Sequence, residues 1–248
     1  MNQPGDSGAS PPPVDMGRLP ALVLTAGLAT RLQPLSSIRA KAALPVAGET
    51  LVSRILRWLH AAGIRRVVLN LHHRADSITK IVGDGSELGL AVRYSWESEI
   101  LGSAGGPARA VPLLESDRFL IVNGDTLTNV DLPALAARHV DTNALVTMAV
   151  VDANPHYNAI VANEAGIVSG FLKREPGTLG SPGSRFHFIG VQMVNTSVFA
   201  GVRPDVKSET VHGIYPALMA SRSGAIRIVH TTNDFFDIGA PRDYLRTA

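Results

Sequence analysis

The chain has 248 residues, of which 45% are hydrophobic and 18% charged, so it is long enough to bury a substantial core as one globular domain. It contains no cysteine, which excludes disulfides, thiolate metal sites and a cysteine nucleophile, and favours a reducing compartment such as the cytoplasm. The formal net charge of +2, with 5% aromatic residues, indicates neither a nucleic-acid-binding nor a membrane-binding protein.

The first 18 residues are rich in glycine, serine and proline, with three successive prolines at 11–13. They lack the basic start and the apolar stretch of a signal peptide. No apolar run in the chain approaches the roughly 20 residues that span a bilayer. We therefore predict a disordered tail at 1–18 and a single domain over 19–248.

Strands and helices are predicted to alternate through the first half of the chain. Short apolar runs predict strands at Ala21–Leu24, Arg66–Leu71, 91–95 and 119–122. Periodic apolar residues and terminal glycines predict helices at 51–62, Ala75–Val82 and 107–114. This alternation indicates an α/β fold of the Rossmann-like type, with a mixed, mostly parallel sheet flanked by helices.

The second half has a less regular pattern. It predicts strands at 145–151, 186–194 and Ile226–His230, a hairpin formed by 160–163 and 167–171, a helix at 210–220 and a short helix from Pro241. We expect residues from about 153 to 210 to form a small antiparallel lid inserted into the domain.

The first candidate site is the loop after the first strand, which carries Ala26, Gly27, Thr30 and Arg31, with Lys41 ten residues further on. Backbone N–H groups at such a loop can bind phosphate oxygens. The two cations could stabilise charge on a leaving pyrophosphate. The loop fits neither the Walker pattern nor GxGxxG, and taken alone it is compatible with an ordinary loop bearing solvated cations.

Two carboxylates are candidate metal ligands. Asp125 ends the sequence Asn123-Gly124-Asp125 directly after a predicted strand, and Asp237 lies between bulky apolar residues and a glycine. Mg²⁺ prefers such oxygen ligands. Each has a structural alternative, since Asn-Gly-Asp favours a turn and Asp237 could cap the helix from Pro241. Asp234 is a competing carboxylate that we expect to be solvated.

Two further segments could bind the rest of a substrate. Glycines at 102, 105 and 106 precede a predicted helix, and backbone there could approach a flat base closely. Lys173 and Arg174 end the predicted hairpin and could meet a substrate phosphate. A flexible loop and a solvated charge cluster are the respective structural alternatives.

Taken together and in this order, these motifs resemble the sugar nucleotidyltransferase family, also called nucleoside-diphosphate-sugar pyrophosphorylases, from about residue 19 to the C-terminus. The family's A-G-x-G-T-R-L, P-K-x-L-x-P, L-G-T-A-G, N-G-D and D-I-G-T-P motifs correspond to residues 26–32, 40–45, 101–105, 123–125 and 237–241.

The resemblance implies a role for each matched residue. It implies catalytic roles for Arg31 and Lys41 as cations on the triphosphate, and for Asp125 and Asp237 as ligands of one Mg²⁺. The implied nucleotide-binding residues are Ala26, Gly27, Thr30, Arg31, Gly102, Ala104, Gly105 and Asn123. The implied sugar-phosphate-binding residues are Asn158, Lys173 and Arg174.

The sequence departs from the family pattern at several positions. Ala29 replaces a loop glycine, Ala40 replaces the proline before the lysine, and Ser103 replaces a threonine. The F-x-E-K-P motif of the sugar-phosphate site is matched loosely by 171–176, so that either Lys173 or Arg174 fills the lysine's place. The usual Tyr-Gly of the sugar pocket is Tyr157-Asn158.

The resemblance implies an enzyme that joins a nucleoside triphosphate to a sugar 1-phosphate and releases pyrophosphate, with Mg²⁺ as cofactor. It leaves the base, the sugar and a homo-oligomeric state open. One alternative is a cytidylyltransferase for a non-sugar phosphate or phosphonate, and another is a catalytically silent nucleotide-binding regulatory subunit. A glycosyltransferase is disfavoured, because those enzymes usually carry Asp-x-Asp at the metal.

Overall fold

A computed structural model describes residues 13–154, 157–173 and 185–247. The strands are β1 Ala21–Leu24, β2 Pro45–Val46, β3 Glu49–Thr50, β4 Arg66–Leu71, β5 Ala91–Trp96, β6 Arg118–Asn123, β7 Thr126–Thr128, β8 Val146–Asp152, β9 Ala159–Ala162, β10 Val168–Leu172, β11 Arg185–Asn195, β12 Ile226–His230 and β13 Phe235–Asp237. The helices are α1 Leu35–Ile38, α2 Leu51–Ala61, α3 Ala75–Val82, α4 Gly102–Leu114, α5 Leu132–Asp141, α6 Tyr215–Ser221 and α7 Pro241–Thr247.

Nine strands form one central sheet. β1 lies between β4 and β6 and is parallel to both, and β5 extends the parallel part beyond β4. On the other side of β6, β11 runs antiparallel and pairs with β8, which is itself parallel to β12. The expected α/β architecture, a mixed sheet flanked by helices, is therefore confirmed.

Both faces of the sheet are covered by helices. Apolar residues of α2, α3 and α5 pack on one face and those of α4 and α6 on the other, which gives two buried clusters. This explains why the central strands are nearly continuous apolar runs. None of the helices in the described ranges is both long and apolar enough to cross a membrane.

The antiparallel region expected within about 153–210 consists of β9, β10 and the first half of β11. These strands continue the central sheet rather than forming a sheet of their own, because the start of β11 pairs with β9 and its end with β6. The register of β11 against β8 shifts between Phe188 and Gln192, where the strand changes neighbours. Residues 155–156 and 174–184 of this region lie outside the described residues.

Two other expectations differ from the structure near helix and tail boundaries. α4 begins at Gly102, so the expected glycine-rich loop forms its first turn. Val14 and Met16 pack against the core, so the domain's packing begins before the expected boundary at residue 18. The rest of the expected tail, 1–12, lies outside the described residues.

The helix α5 was missed by the sequence analysis, although Asp131 accepts a hydrogen bond from the Ala134 N–H and caps the helix.

A buried histidine makes the fold sensitive to acid. His139 of α5 pairs through its two ring nitrogens with Thr147 and Asn195. Burial lowers the pKa of His139; the Asn195 hydrogen bond opposes this effect, and nearby Arg118 adds to it. The unfolded chain therefore binds this proton more readily than the folded one.

We expect the free energy of unfolding to fall as the pH is lowered through the unfolded-state pKa of about 6.5. His139→Gln should remove up to about 1.4 kcal/mol per pH unit of that slope between pH 7 and 5. Urea denaturation at several pH values measures it. His230→Gln, on the exposed β12 histidine, is the control, and an identical slope for wild type and His139→Gln would contradict the prediction.

Candidate active site

Two loops meet where β1 and β6 end. Leu24 and Asn123 are register partners in these parallel strands, so the polar segments that follow both strands emerge at the same edge. The Gly124 N–H donates to the Leu24 carbonyl at 2.9 Å. A Cβ on Gly124 would lie 2.5 Å from that oxygen, so this close approach requires glycine.

Lys41 and Asp125 form an ion pair at this edge. Lys41 Nζ donates to Asp125 Oδ2 at 2.7 Å, and the exposed fractions of the two side chains are 14% and 35%. Lys41 begins a short 3-10 turn, Lys41–Ala43. The residue before it, Ala40, donates its N–H to Ser77 Oγ at 2.9 Å. A proline there could not make that bond, which gives a physical reason for this departure from the family pattern.

Asp237 is brought to Asp125 by a two-stranded sheet. β13 runs antiparallel to β7 with Asp237 opposite Thr126, and the Ile238 N–H donates to the Asp125 carbonyl at 2.9 Å. Burial raises the pKa of the Asp237 carboxyl, and Asp125 raises it further, whereas Lys41 and Arg31 lower it. Two carboxylates and two cations therefore act on one another across this edge.

Arg31 reaches the same place from the loop after β1. A Cβ added to Gly239 would lie 2.9 Å from Asp237 Oδ2 and 3.1 Å from Arg31 Nη2. The carboxylate and the guanidinium therefore both lie close to Gly239. The described residues contain no group of three or more acidic, histidine or cysteine side chains that could hold a metal. Two carboxylates fit Mg²⁺, which usually keeps several waters and binds substrate phosphates as well.

The loop after β1 contains a left-handed alanine. Ala26 is buried, Gly27 is exposed, and Thr30 and Arg31 lie in a 3-10 turn, Thr30–Leu32. Ala29, which precedes that turn, has φ 50° and ψ 41°, a conformation in which a Cβ costs about 1–2 kcal/mol. The substitution of the family's glycine therefore introduces strain beside the predicted phosphate contacts.

The N–H groups at the start of α4 already have partners. Ser103 N donates to Glu209 Oε2, and Ala104 N and Gly105 N both donate to the Ser208 carbonyl. A Cβ on Gly102 would lie 2.6 Å from the Ser208 oxygen. The glycines here thus permit close contact with segment 208–209. We predicted that backbone at these positions would approach a base, and in the structure these atoms contact the protein's own chain instead.

A buried hydrogen-bond chain beneath the site was missed by sequence reasoning. The Thr25 N–H donates to Asn70 Oδ1, Asn70 Nδ2 donates to Glu97 Oε1 at 2.7 Å, and the Leu101 N–H donates to Glu97 Oε2 at 2.9 Å. It links the ends of β1, β4 and β5 to the start of α4. Asn70, a polar residue in an otherwise apolar stretch of strand, was the available signal.

A cavity of about 480 Å³ opens beside this edge. Asn123, Asn158 and Lys173 line it, so it brings these predicted substrate-binding residues together, whereas Arg174 lies outside the described residues. Ser103 and Tyr157, which belong to matched motifs, line it as well. The polar residues that sequence reasoning missed are His187, Gln192, Glu209, Thr210 and His212. His187 stacks on Tyr157 with ring centroids 4.2 Å apart, which fixes the wall next to Asn158.

The fold is a mixed α/β sheet, and at one edge of it two carboxylates and two cations come together. Residues 20–248 match the family described as nucleotidyl transferase. The chain therefore belongs to the nucleotidyl transferase family.

Similar proteins include two sugar-phosphate enzymes. The chain is 30% identical over 228 residues to the mannose-1-phosphate guanylyltransferase of Mycobacterium tuberculosis, covering 91% of this chain and 62% of that protein. It is 41% identical over 115 residues to the N-acetylmuramate alpha-1-phosphate uridylyltransferase of Neisseria meningitidis, covering 46% of this chain and 50% of that protein. The chain thus spans between half and two thirds of the length of these relatives.

A solved structure confirms the fold. HddC from Yersinia pseudotuberculosis superposes with a TM-score of 0.78 at 22% identity, covering 92% of this chain and 97% of that one. At this identity the likeness supports the architecture alone.

Replacing the strained alanine tests the conformation of the loop. We expect Ala29→Gly to raise the free energy of unfolding by up to about 1 kcal/mol, because relief of the left-handed strain exceeds the entropy that glycine adds to the unfolded chain. Chemical denaturation measures the change. Ala26→Gly, at a neighbouring residue without a positive φ, is the control and should not stabilise. A destabilised Ala29→Gly protein would contradict the left-handed assignment.

Proposed function

We propose that this chain transfers a nucleotidyl group from a nucleoside triphosphate to a sugar 1-phosphate and releases pyrophosphate. The observation that carries the proposal is the convergence of Asp125, Asp237, Lys41 and Arg31 on one sheet edge. The cavity lined by Lys173 opens beside that edge and suits the acceptor. Family membership and the activities for which the similar proteins are named support the same reaction.

The chemistry is an in-line displacement at the α-phosphorus. The acceptor's phosphate is already ionised, so no protein nucleophile is required, and the protein contributes positioning and charge neutralisation. Asp125 and Asp237 would hold Mg²⁺, and the chemistry that a bound Mg²⁺ would supply is neutralisation of phosphate charge. Arg31 and Lys41 stabilise the leaving pyrophosphate, and the loop of Ala26, Gly27 and Thr30 positions the triphosphate.

The acceptor side depends on the cavity wall. Lys173 supplies a cation for the acceptor's phosphate, and Asn158 contacts the sugar from the end that His187 and Tyr157 hold in place. We place the reaction in the cytoplasm, where nucleoside triphosphates are available. An acceptor without a sugar remains the alternative substrate, since the same phosphate-binding edge would serve it.

The base is proposed to be guanine. Glu97 lies directly behind the Leu101–Gly105 turn, 6% exposed, and each of its oxygens accepts one hydrogen bond and can accept another. An ionised carboxylate accepts and does not donate, and guanine offers it two adjacent donors, N1–H and the 2-amino group. The guanylyltransferase activity named for the Mycobacterium tuberculosis relative supports this choice.

Removing either proposed metal ligand should abolish the reaction while leaving the fold intact. We expect Asp125→Asn and Asp237→Asn to lower kcat by at least about a hundredfold, because each removes a charged ligand from the metal. Pyrophosphate release with Mg²⁺, each nucleoside triphosphate and a panel of sugar 1-phosphates is the assay.

Asp234→Asn is the matched control, since Asp234 is exposed and its carboxylate contacts Asn129 rather than the site. Its kcat should stay within about twofold of wild type. Full turnover by Asp125→Asn would refute the metal assignment. A folded wild type that binds nucleotide but uses no sugar 1-phosphate would favour a non-sugar acceptor or a regulatory subunit.

The base assignment has its own test. We expect wild type to prefer GTP, and Glu97→Gln to lose about tenfold or more of that preference over the other triphosphates, because the amide offers one acceptor oxygen where the carboxylate offers two. The ratio of kcat/KM for GTP to that for each competitor measures it. Glu99→Gln, at the neighbouring exposed carboxylate, is the control. A preference that survives Glu97→Gln unchanged would locate base selection elsewhere.

A further inference from the structure

Gln192 is a polar residue on an apolar face of the sheet. It lies in the middle of β11, and its register partners on the two neighbouring strands are Ile121 and Met148, both buried. Its own exposed fraction is 6%. A buried amide costs free energy unless its donors and acceptor are paired, so its presence here needs an explanation.

One end of this amide is held by a buried phenol. Tyr215 of α6 is 1% exposed, and its hydroxyl donates to Gln192 Oε1 at 2.8 Å. Burial raises the pKa of Tyr215 far above its ordinary value, against a smaller opposing effect of the Gln192 hydrogen bond. The phenol is therefore protonated at neutral pH and can act as the hydrogen-bond donor to Gln192. Because Oε1 is turned toward Tyr215, Nε2 is turned away from it.

The other end of the amide has no hydrogen-bond partner in the described part of the chain. Among the described residues, none accepts a hydrogen bond from Gln192 Nε2. The side chain lines the 480 Å³ cavity that also contains Asn158 and Lys173. Two N–H donors, fixed in direction by Tyr215, thus belong to the wall of the cavity where the acceptor is proposed to bind.

The rest of the wall is compatible with a hydroxylated ring. Glu209 lines the same cavity, and its Oε2 is held by the Ser103 hydroxyl at 2.6 Å, so a carboxylate acceptor complements the Gln192 donor. Apolar side chains, among them Met148, Ile160 and Phe171, complete the wall. Fixed donors and acceptors on an apolar surface are the usual composition of a specific small-molecule site.

We propose that Gln192 is a specificity-determining residue for the acceptor, and that its Nε2 donates to an oxygen of one ring substituent, either a hydroxyl or an amide carbonyl. This inference rests on the proposed function, and it narrows the substrate class to sugars that carry such an oxygen away from the 1-phosphate. Tyr215 is the positioning residue, since it orients the amide without reaching the substrate.

A purely structural role would give Gln192 one task, which is to accept the hydrogen bond of Tyr215. Two substitutions separate the roles. Gln192→Glu keeps an oxygen for the Tyr215 hydroxyl and removes both N–H donors. Gln192→Met keeps the length of the side chain and removes donor and acceptor together.

The experiment compares the best sugar 1-phosphate with its singly deoxygenated or deacetylated analogues, in wild type and in both variants. In wild type, loss of one particular oxygen should lower kcat/KM by about tenfold, the worth of one neutral hydrogen bond. In Gln192→Glu and Gln192→Met the same loss should change kcat/KM by less than about twofold. The KM for the nucleoside triphosphate should stay unchanged in both.

The outcomes distinguish the role of Gln192 from the proposed reaction. Discrimination against the same analogue that persists in both folded variants would overturn the role of Gln192 while leaving the proposed reaction intact. Wild type that turns over no sugar 1-phosphate would overturn the proposed reaction itself. If Gln192→Met fails to fold, Gln192→Glu alone decides, with Tyr215→Phe as a second measure, since loss of the phenol should weaken the discrimination and leave the triphosphate KM unchanged.

Discussion

Two carboxylates held side by side are the constraint on which the rest of the site depends. Asp125 and Asp237 come from distant parts of the sequence and are fixed together by the β7–β13 pairing. Burial and the negative charge of Asp125 both raise the pKa of the Asp237 carboxyl, and Lys41 and Arg31 oppose that effect. A bound cation would therefore lower the electrostatic free energy of holding these two carboxylates close together.

The ion pair of Lys41 with Asp125 follows from the same constraint. The Lys41 Nζ is partly buried and lies 2.7 Å from Asp125 Oδ2. Its positive charge compensates a carboxylate charge that would otherwise be unpaired. In the proposed reaction, Lys41 would be available to a substrate phosphate if a bound metal ion neutralised Asp125 in its place. The four-carbon stem of a lysine allows movement from carboxylate to phosphate more readily than the rigid fork of an arginine would.

Much of the fold, and the convergence of Asp125, Asp237, Lys41 and Arg31 on one edge of the sheet, could be predicted from sequence, because both follow from short local motifs. Apolar runs identified the strands that Thr25 and Asp125 follow, and motif order paired Asp125 with Asp237. The predictions for individual substrate contacts remain predictions.

What sequence could not supply was long-range contact. Segment 208–209 caps the start of α4 through Ser103, Ala104 and Gly105, and no local pattern relates residues so far apart. The chain from Asn70 to Glu97 is hidden for the same reason. α5 was missed for a different reason, because its capping residue Asp131 was not recognised as the start of a helix.

The parallel and antiparallel parts of the central sheet carry different parts of the proposed site, and they differ in how readily their residues can be substituted. The parallel part, with β1 and β6, places phosphate-binding loops at a fixed edge, where Gly124 permits only one close packing. The antiparallel part, with β9 and β11, lines the cavity proposed for the acceptor with side chains from strand faces. A side chain on a strand face can be exchanged without moving the backbone, so acceptor choice can change while the metal site stays the same. Gln192, fixed by Tyr215 of α6 on the same face of the sheet, belongs to this second region, and its amide is the kind of group through which one scaffold could distinguish sugars that differ by a single oxygen.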